Sequence, residues 1–212
     1  RRPPTSTLFP YTTLFRSTAA FEEVVGALID GGVDLILFET FIDASQLALA
    51  VKTARGMTGM PIVAQMAFEP EGRLTGGERI EYFAEPCLAS GADIIGANCG
   101  AGVPAVRSAV KDLVRLGASV SAVMNAGFAE RIEERIMFVA PDDYLASTAA
   151  ELACMGARFI GGCCGTTPET IEAIAASLAN PPCAVTIASA PAVTVKREPL
   201  PSFTDRRAEP PS

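Results

Sequence analysis

Histidine and tryptophan are absent from the 212 residues, and only three tyrosines occur. Without histidine there is no imidazole general base, no Ser/His/Asp or Cys/His nucleophile relay, and no histidine metal ligand. Positive charge is also scarce, with 17 Lys and Arg against 24 Asp and Glu. Residues 1–17 hold three Arg and no acid, and residues 181–212 hold four basic and three acidic side chains. That leaves 10 basic against 21 acidic side chains in residues 18–180. A domain so acidic repels a phosphate backbone, and no basic stripe interleaved with aromatics occurs, so no nucleic-acid partner is expected. No apolar run approaches the 18 or so residues of a membrane span, and the N-terminus lacks the continuous apolar core of a signal peptide, so no membrane association is expected. Neither a G-x-G-x-x-G turn after a first strand nor a Walker motif is found.

What is present is a repeating pattern. The first seventeen residues sustain no helix or strand period and read as a non-native or disordered leader. From residue 18 the chain alternates amphipathic helical segments with short, continuous apolar runs around Leu35, Ile62, Ile94, Val120 and Phe159. Such runs are the mark of parallel strands covered by helices. Helices are expected at 21–29, 44–55 with Asp43 as N-cap, 78–89 with a break at Pro86, 104–116, 143–155 and 168–178. Three helix-to-strand joints are alike: GGVDLILFE, GADIIGANC and GARFIGGCC. Each ends in a polar or thiol group at the C-terminal end of its strand, where parallel sheets and barrels carry active sites. Periodicity alone leaves a doubly wound sheet and a barrel both open. Residues 181–212 contain seven prolines and read as a linker or disordered tail, with a short strand possible at 184–188.

Six cysteines, two of them adjacent, form a poor disulfide framework and fit a reducing, cytoplasmic setting with functional thiols. Cys87 and Cys154 fall inside helices and read as small buried hydrophobes. Cys183 opens the tail and reads as incidental. Cys99, Cys163 and Cys164 all lie at strand C-terminal ends, so a sheet or barrel brings them to one rim. Three thiolates around a divalent metal leave one tetrahedral position open. Buried small hydrophobes and vicinal-disulfide redox chemistry are the competing readings of these thiols.

The segment GGCCGTTPETI at 161–171, with GANC at 96–99, ETF at 39–41 and NAG at 125–127, resembles the homocysteine S-methyltransferase family. That family includes the homocysteine-binding domain of cobalamin-dependent methionine synthase and the bifunctional homocysteine S-methyltransferase/methylenetetrahydrofolate reductase proteins. The resemblance covers essentially residues 19–180 of a domain expected at 18–180, and it implies an α/β fold, a (β/α)8 TIM barrel of which about five of eight parallel strands are present. It implies zinc held by Cys99, Cys163 and Cys164, with the thiol of L-homocysteine in the fourth position accepting a methyl group. Glu39 is implied as the partner of the substrate α-ammonium and Asn125 as a substrate-site residue. Asn98, Gly165, Thr166 and Thr167 stand as further pocket or helix N-terminus candidates. Thr166 or Thr167 is the expected cap of the last helix, with Glu169 closing a capping box. No catalytic group beyond the zinc site is implied.

Two departures stand out. The family's G-x-M-G-T turn after the first strand has no counterpart, so an N-terminally incomplete barrel is expected, and Ala129 stands where relatives carry Pro after NAG. The resemblance implies methylcobalamin as methyl donor, linked to methyltetrahydrofolate, and either a cobalamin protein or a methylenetetrahydrofolate reductase domain as partner. A donor such as S-methylmethionine, a selenohomocysteine acceptor, or an inactive zinc-binding fragment are the alternatives.

Overall fold

A computed structural model describes residues 9–183 except 133, 134 and 139. The expected strand at 184–188 and nearly all of the tail lie outside the described residues. The elements run α1 (Phe9–Asp30), β1 (Ile36–Phe41), α2 (Ala44–Met57), β2 (Ile62–Met66), α3 (Glu81–Ala89), β3 (Ile94–Asn98), α4 (Gly102–Arg115), β4 (Val120–Met124), β5 (Ala129–Ile132), β6 (Arg135–Phe138), α5 (Asp142–Met155), β7 (Ala157–Gly162) and α6 (Pro168–Ala179). The five expected strands form one parallel sheet in the order β1-β2-β3-β4-β7.

Local chemistry explains several boundaries. Asp43 caps α2 as expected, its carboxylate accepting from the backbone N–H groups of Ser45 and Gln46. Pro86 sits inside α3 without ending it. α4 buries Val103, Val106, Val110 and Leu113, a three-four-three spacing that lays one stripe against the sheet. α5 stops where Gly156 turns left-handed at φ 114°.

Three features differ from expectation. Helix α1 begins at Phe9, well before residue 18, so part of the presumed leader is helical. Its Phe21 packs against Phe38 and Phe41, each ring pair 6.2 Å apart, and this fastens α1 to β1. An antiparallel hairpin, β5 and β6, interrupts the alternation after β4. Cys154 is exposed and not buried, and it forms a disulfide with Cys183, their Cα atoms 5.7 Å apart. The helical period was compatible with burial at 154, but the apolar face of α5 is carried by Leu145, Ala149 and Leu152, which leaves Cys154 to one side. Cys87 is fully buried as expected, and burial pushes its thiol up to about 12.

The sheet is asymmetric in burial. β2 and β4, inside the sheet, are buried along their whole length. In β1 the burial alternates instead, leaving Leu37 and Glu39 exposed. Among the described residues β1 and β7 are the edges of the sheet, so the barrel is not closed. Uncovered edges of parallel strands carry unpaired N–H and C=O groups that template pairing with other chains. Val24 and Leu28 on α1 and Ile42 after β1 add exposed apolar surface on the same flank. The full chain is therefore expected to sediment as dimers or larger species at micromolar concentration. A monodisperse monomer in analytical ultracentrifugation would contradict this.

No helix among the described residues is long and apolar enough to cross a membrane.

Candidate metal centre

Each thiol of the cluster is placed by the end of a parallel strand. Cys99 directly follows β3, and its backbone takes φ 54°, a left-handed conformation that swings the side chain off the strand line. Gly100 and Gly102 continue that turn at positive φ, and a Cβ on Gly100 would stand 2.5 Å from the Phe68 carbonyl oxygen. Only glycine therefore lets the chain turn there against the loop after β2. Cys163 and Cys164 follow β7, where the Cys163 N–H donates to the Met124 carbonyl at 2.6 Å and the Cys164 carbonyl accepts from the Ala126 N–H at 2.9 Å. These bonds join the ends of β4 and β7 and hold the vicinal pair against the Asn125 turn.

The three sulfurs lie within 4.8 Å of one another. Cys99 Sγ is 3.9 Å and Cys163 Sγ is 3.8 Å from Cys164 Sγ. Zinc–sulfur arms of about 2.3 Å set at tetrahedral angles separate the sulfurs by about 3.8 Å. The donor set, three thiols and no imidazole, suits a borderline-soft divalent metal. These residues therefore fit zinc in both geometry and chemistry. Desolvation, with the Cys163 and Cys99 thiols beside it, pushes the Cys164 thiol up to about 11.

Polar groups surround the sulfurs. Asn125, 5% exposed, donates from Nδ2 to Cys99 Sγ at 3.6 Å, while its Oδ1 is buried without a protein partner. Asn98, fully buried at the end of β3, points its Nδ2 at Cys163 Sγ at 3.9 Å. Gly165 has φ 78° and faces the Phe138 side chain so closely that a Cβ would overlap it. The Thr166 hydroxyl donates to the Cys163 carbonyl at 2.7 Å, stapling the turn. Thr167 caps α6 with Pro168 in the first turn, as expected, but the capping-box partner is Thr170 and not Glu169. With Thr167 as the cap, Glu169 stands one position too early for that role, and the Thr170 hydroxyl also donates to Asp142 Oδ1. The Thr167 hydroxyl and its own backbone N–H hold the Glu169 carboxyl below its ordinary value.

Glu39 is exposed on β1, and the three-thiol cluster is complete without it. Its neighbour Thr40, which sequence reasoning passed over, bonds Asn98 and so links the end of β1 to the cluster. A second unforeseen pair, Gln65 and Ser121, is buried in the sheet interior, Gln65 Nε2 donating to Ser121 Oγ at 3.0 Å. The Gly-rich loop at 72–77 folds over α4, where the Ser108 hydroxyl donates to the Glu71 carbonyl. Beside it lies a cleft of about 510 Å³ with three arginines and three acids, Arg73, Arg79, Arg115, Glu71, Glu81 and Asp112, and none of the thiols. Its charges balance.

A parallel α/β sheet of barrel type gathers three cysteine thiols at its C-terminal strand ends, where they could hold a metal ion. The chain belongs to the homocysteine S-methyltransferase family, whose family model matches residues 6–178. Over 171 residues it is 34% identical to the methionine synthase of Mycobacterium tuberculosis and 32% identical to that of Mycobacterium leprae. Each match covers 76% of this chain and 14% of the relative, so the chain spans about a seventh of the length of these relatives. In fold it is similar to the homocysteine methyltransferase MmuM from Escherichia coli in its apo form. There the TM-score is 0.64 at 23% identity, over 77% of this chain and 57% of that one.

Proposed function

We propose that this chain supplies the zinc and homocysteine site of a methyltransferase that forms methionine. The three-sulfur cluster carries the reading, because it provides three ligands of one tetrahedron and leaves the fourth corner for a substrate sulfur. Zinc bound by Cys99, Cys163 and Cys164 would supply the charge that keeps a coordinated thiol deprotonated at neutral pH. The protein's own groups do the rest. Asn125 orients Cys99 through its N–H and offers its unpartnered Oδ1 to the substrate side. Glu39 receives the α-ammonium of homocysteine. Asn98 and the Gly165–Thr166–Thr167 turn shape the pocket floor; the first turn of α6 offers a substrate carboxylate no free N–H, because residue 168 is Pro, the Glu169 N–H meets its own carboxyl and the Thr170 N–H is capped by the Thr167 hydroxyl.

Methylcobalamin is the proposed donor, delivered by a cobalamin protein or domain, while the two mycobacterial relatives, each named methionine synthase, support methionine as the product. A methylenetetrahydrofolate reductase domain is the proposed alternative partner. The cytoplasm is the proposed location, a compartment where the Cys154–Cys183 bridge would be subject to reduction. The open sheet edges favour one second reading, a zinc-binding fragment that binds substrate without turnover. Methionine formation by the zinc-loaded chain, assayed with homocysteine and either methylcobalamin or S-methylmethionine, separates these readings. Turnover only with methylcobalamin supports the first. Turnover only with S-methylmethionine replaces the donor, and zinc binding without homocysteine binding overturns the substrate assignment.

Glu39→Gln is expected to weaken homocysteine binding about tenfold while sparing zinc. A neutral amide replaces a charge-assisted bond worth about 1.5–3 kcal/mol, and water screening at this exposed position keeps the loss at the lower end. Calorimetric titration of the zinc-loaded chain reads it directly, and equal affinities in parent and variant would remove Glu39 from the site.

A further inference from the structure

The structure assigns Thr40 as a positioning residue for the thiol cluster, acting through the buried carboxamide of Asn98, and this assignment rests on the reading of that cluster as a metal site. Thr40 stands at the C-terminal end of β1 and Asn98 at that of β3, with β2 between them, so no sheet hydrogen bond couples the two. They are joined instead by a reciprocal pair of bonds. The Thr40 N–H donates to Asn98 Oδ1 at 2.8 Å, and Asn98 Nδ2 donates to Thr40 Oγ1 at 2.7 Å.

The first bond fixes the amide orientation, since a backbone N–H can meet only the oxygen of the carboxamide. The NH2 group must then face the other way. One of its hydrogens is taken by the Thr40 hydroxyl, and the second is directed at Cys163 Sγ, 3.9 Å from Nδ2. The oxygen and both N–H groups of this fully buried side chain are thereby partnered. Thr40 is exposed but the Asn98 carboxamide is fully buried, so rotating the amide would abandon bonds that water at Asn98 could not replace.

Backbone conformation supports the assignment. Thr40 has φ 60°, where a β-branched residue is rarely found, and it lies in the irregular stretch between Phe38 and Phe41 where β1 loses register with β2. A strained residue persists when its surroundings hold it, and here the Asn98 carboxamide is the holding group. The strain turns the Thr40 N–H and hydroxyl toward β3 together, which a regular strand could not do because successive residues alternate faces.

The expected consequence is metal affinity that depends on a hydroxyl remote from the metal. Groups that orient ligands in this way typically change affinity about 10–100-fold when lost. Thr40→Val keeps the shape and deletes the hydroxyl, so zinc affinity of the full chain, measured by chelator competition, is expected to fall about tenfold. The d–d bands of the cobalt(II)-loaded chain are expected to shift with it. Thr40→Ser is expected to restore both to parental values. If Thr40→Val does not fold, Thr40→Gly, which relieves the backbone and also lacks the hydroxyl, must show the same loss. Parental affinity and parental bands in the folded valine or glycine variant would overturn the assignment while leaving the metal site intact. A parent chain that takes up no metal would overturn the metal reading itself, and this assignment with it.

Discussion

The purified chain is expected to bind one zinc ion, and replacing any one of Cys99, Cys163 or Cys164 by Ala should weaken binding about a hundredfold. Structural zinc sites gain about 10–16 kcal/mol from their ligands, so one of three thiolates contributes at least about 3 kcal/mol, two orders of magnitude in affinity. The remaining cysteines provide internal controls. Cys87→Ala removes a thiol that is buried away from the cluster, and Cys154→Ala opens the disulfide with Cys183 without touching it. Neither should alter zinc affinity beyond about twofold, a difference under ~0.5 kcal/mol. Metal content by mass spectrometry combined with chelator competition reads all five variants. Stoichiometric binding with parental affinity in Cys163→Ala would sink the three-thiol assignment, and loss in Cys87→Ala alone would move the site elsewhere. Two of the three sulfur pairs already stand near tetrahedral spacing and the third lies within 4.8 Å, so little rearrangement opposes binding.

That cluster was legible in the amino-acid sequence because it depends on two regularities, strand ends and helix-strand alternation. Apolar runs fixed the positions of β1, β2, β3, β4 and β7, and once those are parallel neighbours their C-terminal residues share a rim whatever their separation along the chain. Asp43 at the start of α2 was readable for a similar reason, since capping is a local bond between neighbours three residues apart. The features that escaped are those set by partners distant in sequence. The Thr40–Asn98 pair spans 58 residues, and the Gln65–Ser121 pair spans 56. Nothing near either residue announces its partner. Glu169 is not the capping-box partner for a local reason: the cap is Thr167 and not Thr166, which makes Thr170 the third residue of the helix. Helix α1 reaches back to Phe9 through a stretch with little helical period, and its first turn holds no acid that would have marked the start. The hairpin β5–β6 lies where a break in alternation was visible only as a long interval between β4 and α5.

Gly96→Ala is expected to cost more stability than any other single methyl added to the sheet, about 3–5 kcal/mol. Gly96 occupies the middle of β3, paired with Gln65 on one side and Ser121 on the other. Both flanking side chains rise on its face, and the Gln65 amide reaches over it to the Ser121 hydroxyl at 3.0 Å. That bond exists because residue 96 has no side chain: an added Cβ would run into the hydroxyl and the carbonyl of Ser121. The hydroxyl could rotate away, but the carbonyl belongs to β4, so the strand itself must shift. Overpacking of this kind costs about 1–3 kcal/mol. Breaking the bond costs about 1–3 kcal/mol more, because Gln65 Oε1 already has no partner and the displaced amide would leave a second unpaired polar group in the same fully buried side chain. Against a typical total of about 5–15 kcal/mol, such a loss brings the chain near unfolding at 37 °C. Gly56→Ala is the matched control. It adds the same methyl group near the end of α2, where nothing lies within 4 Å, and helix propensity predicts a gain of up to about 1 kcal/mol. Urea or thermal melts of the two variants beside the parent should therefore move in opposite directions. A Gly96→Ala chain that melts with the parent would mean that β3 and β4 separate freely at Ser121, and the Gln65–Ser121 bond would then have no part in holding the strands on which Asn98, Cys99 and Asn125 are carried.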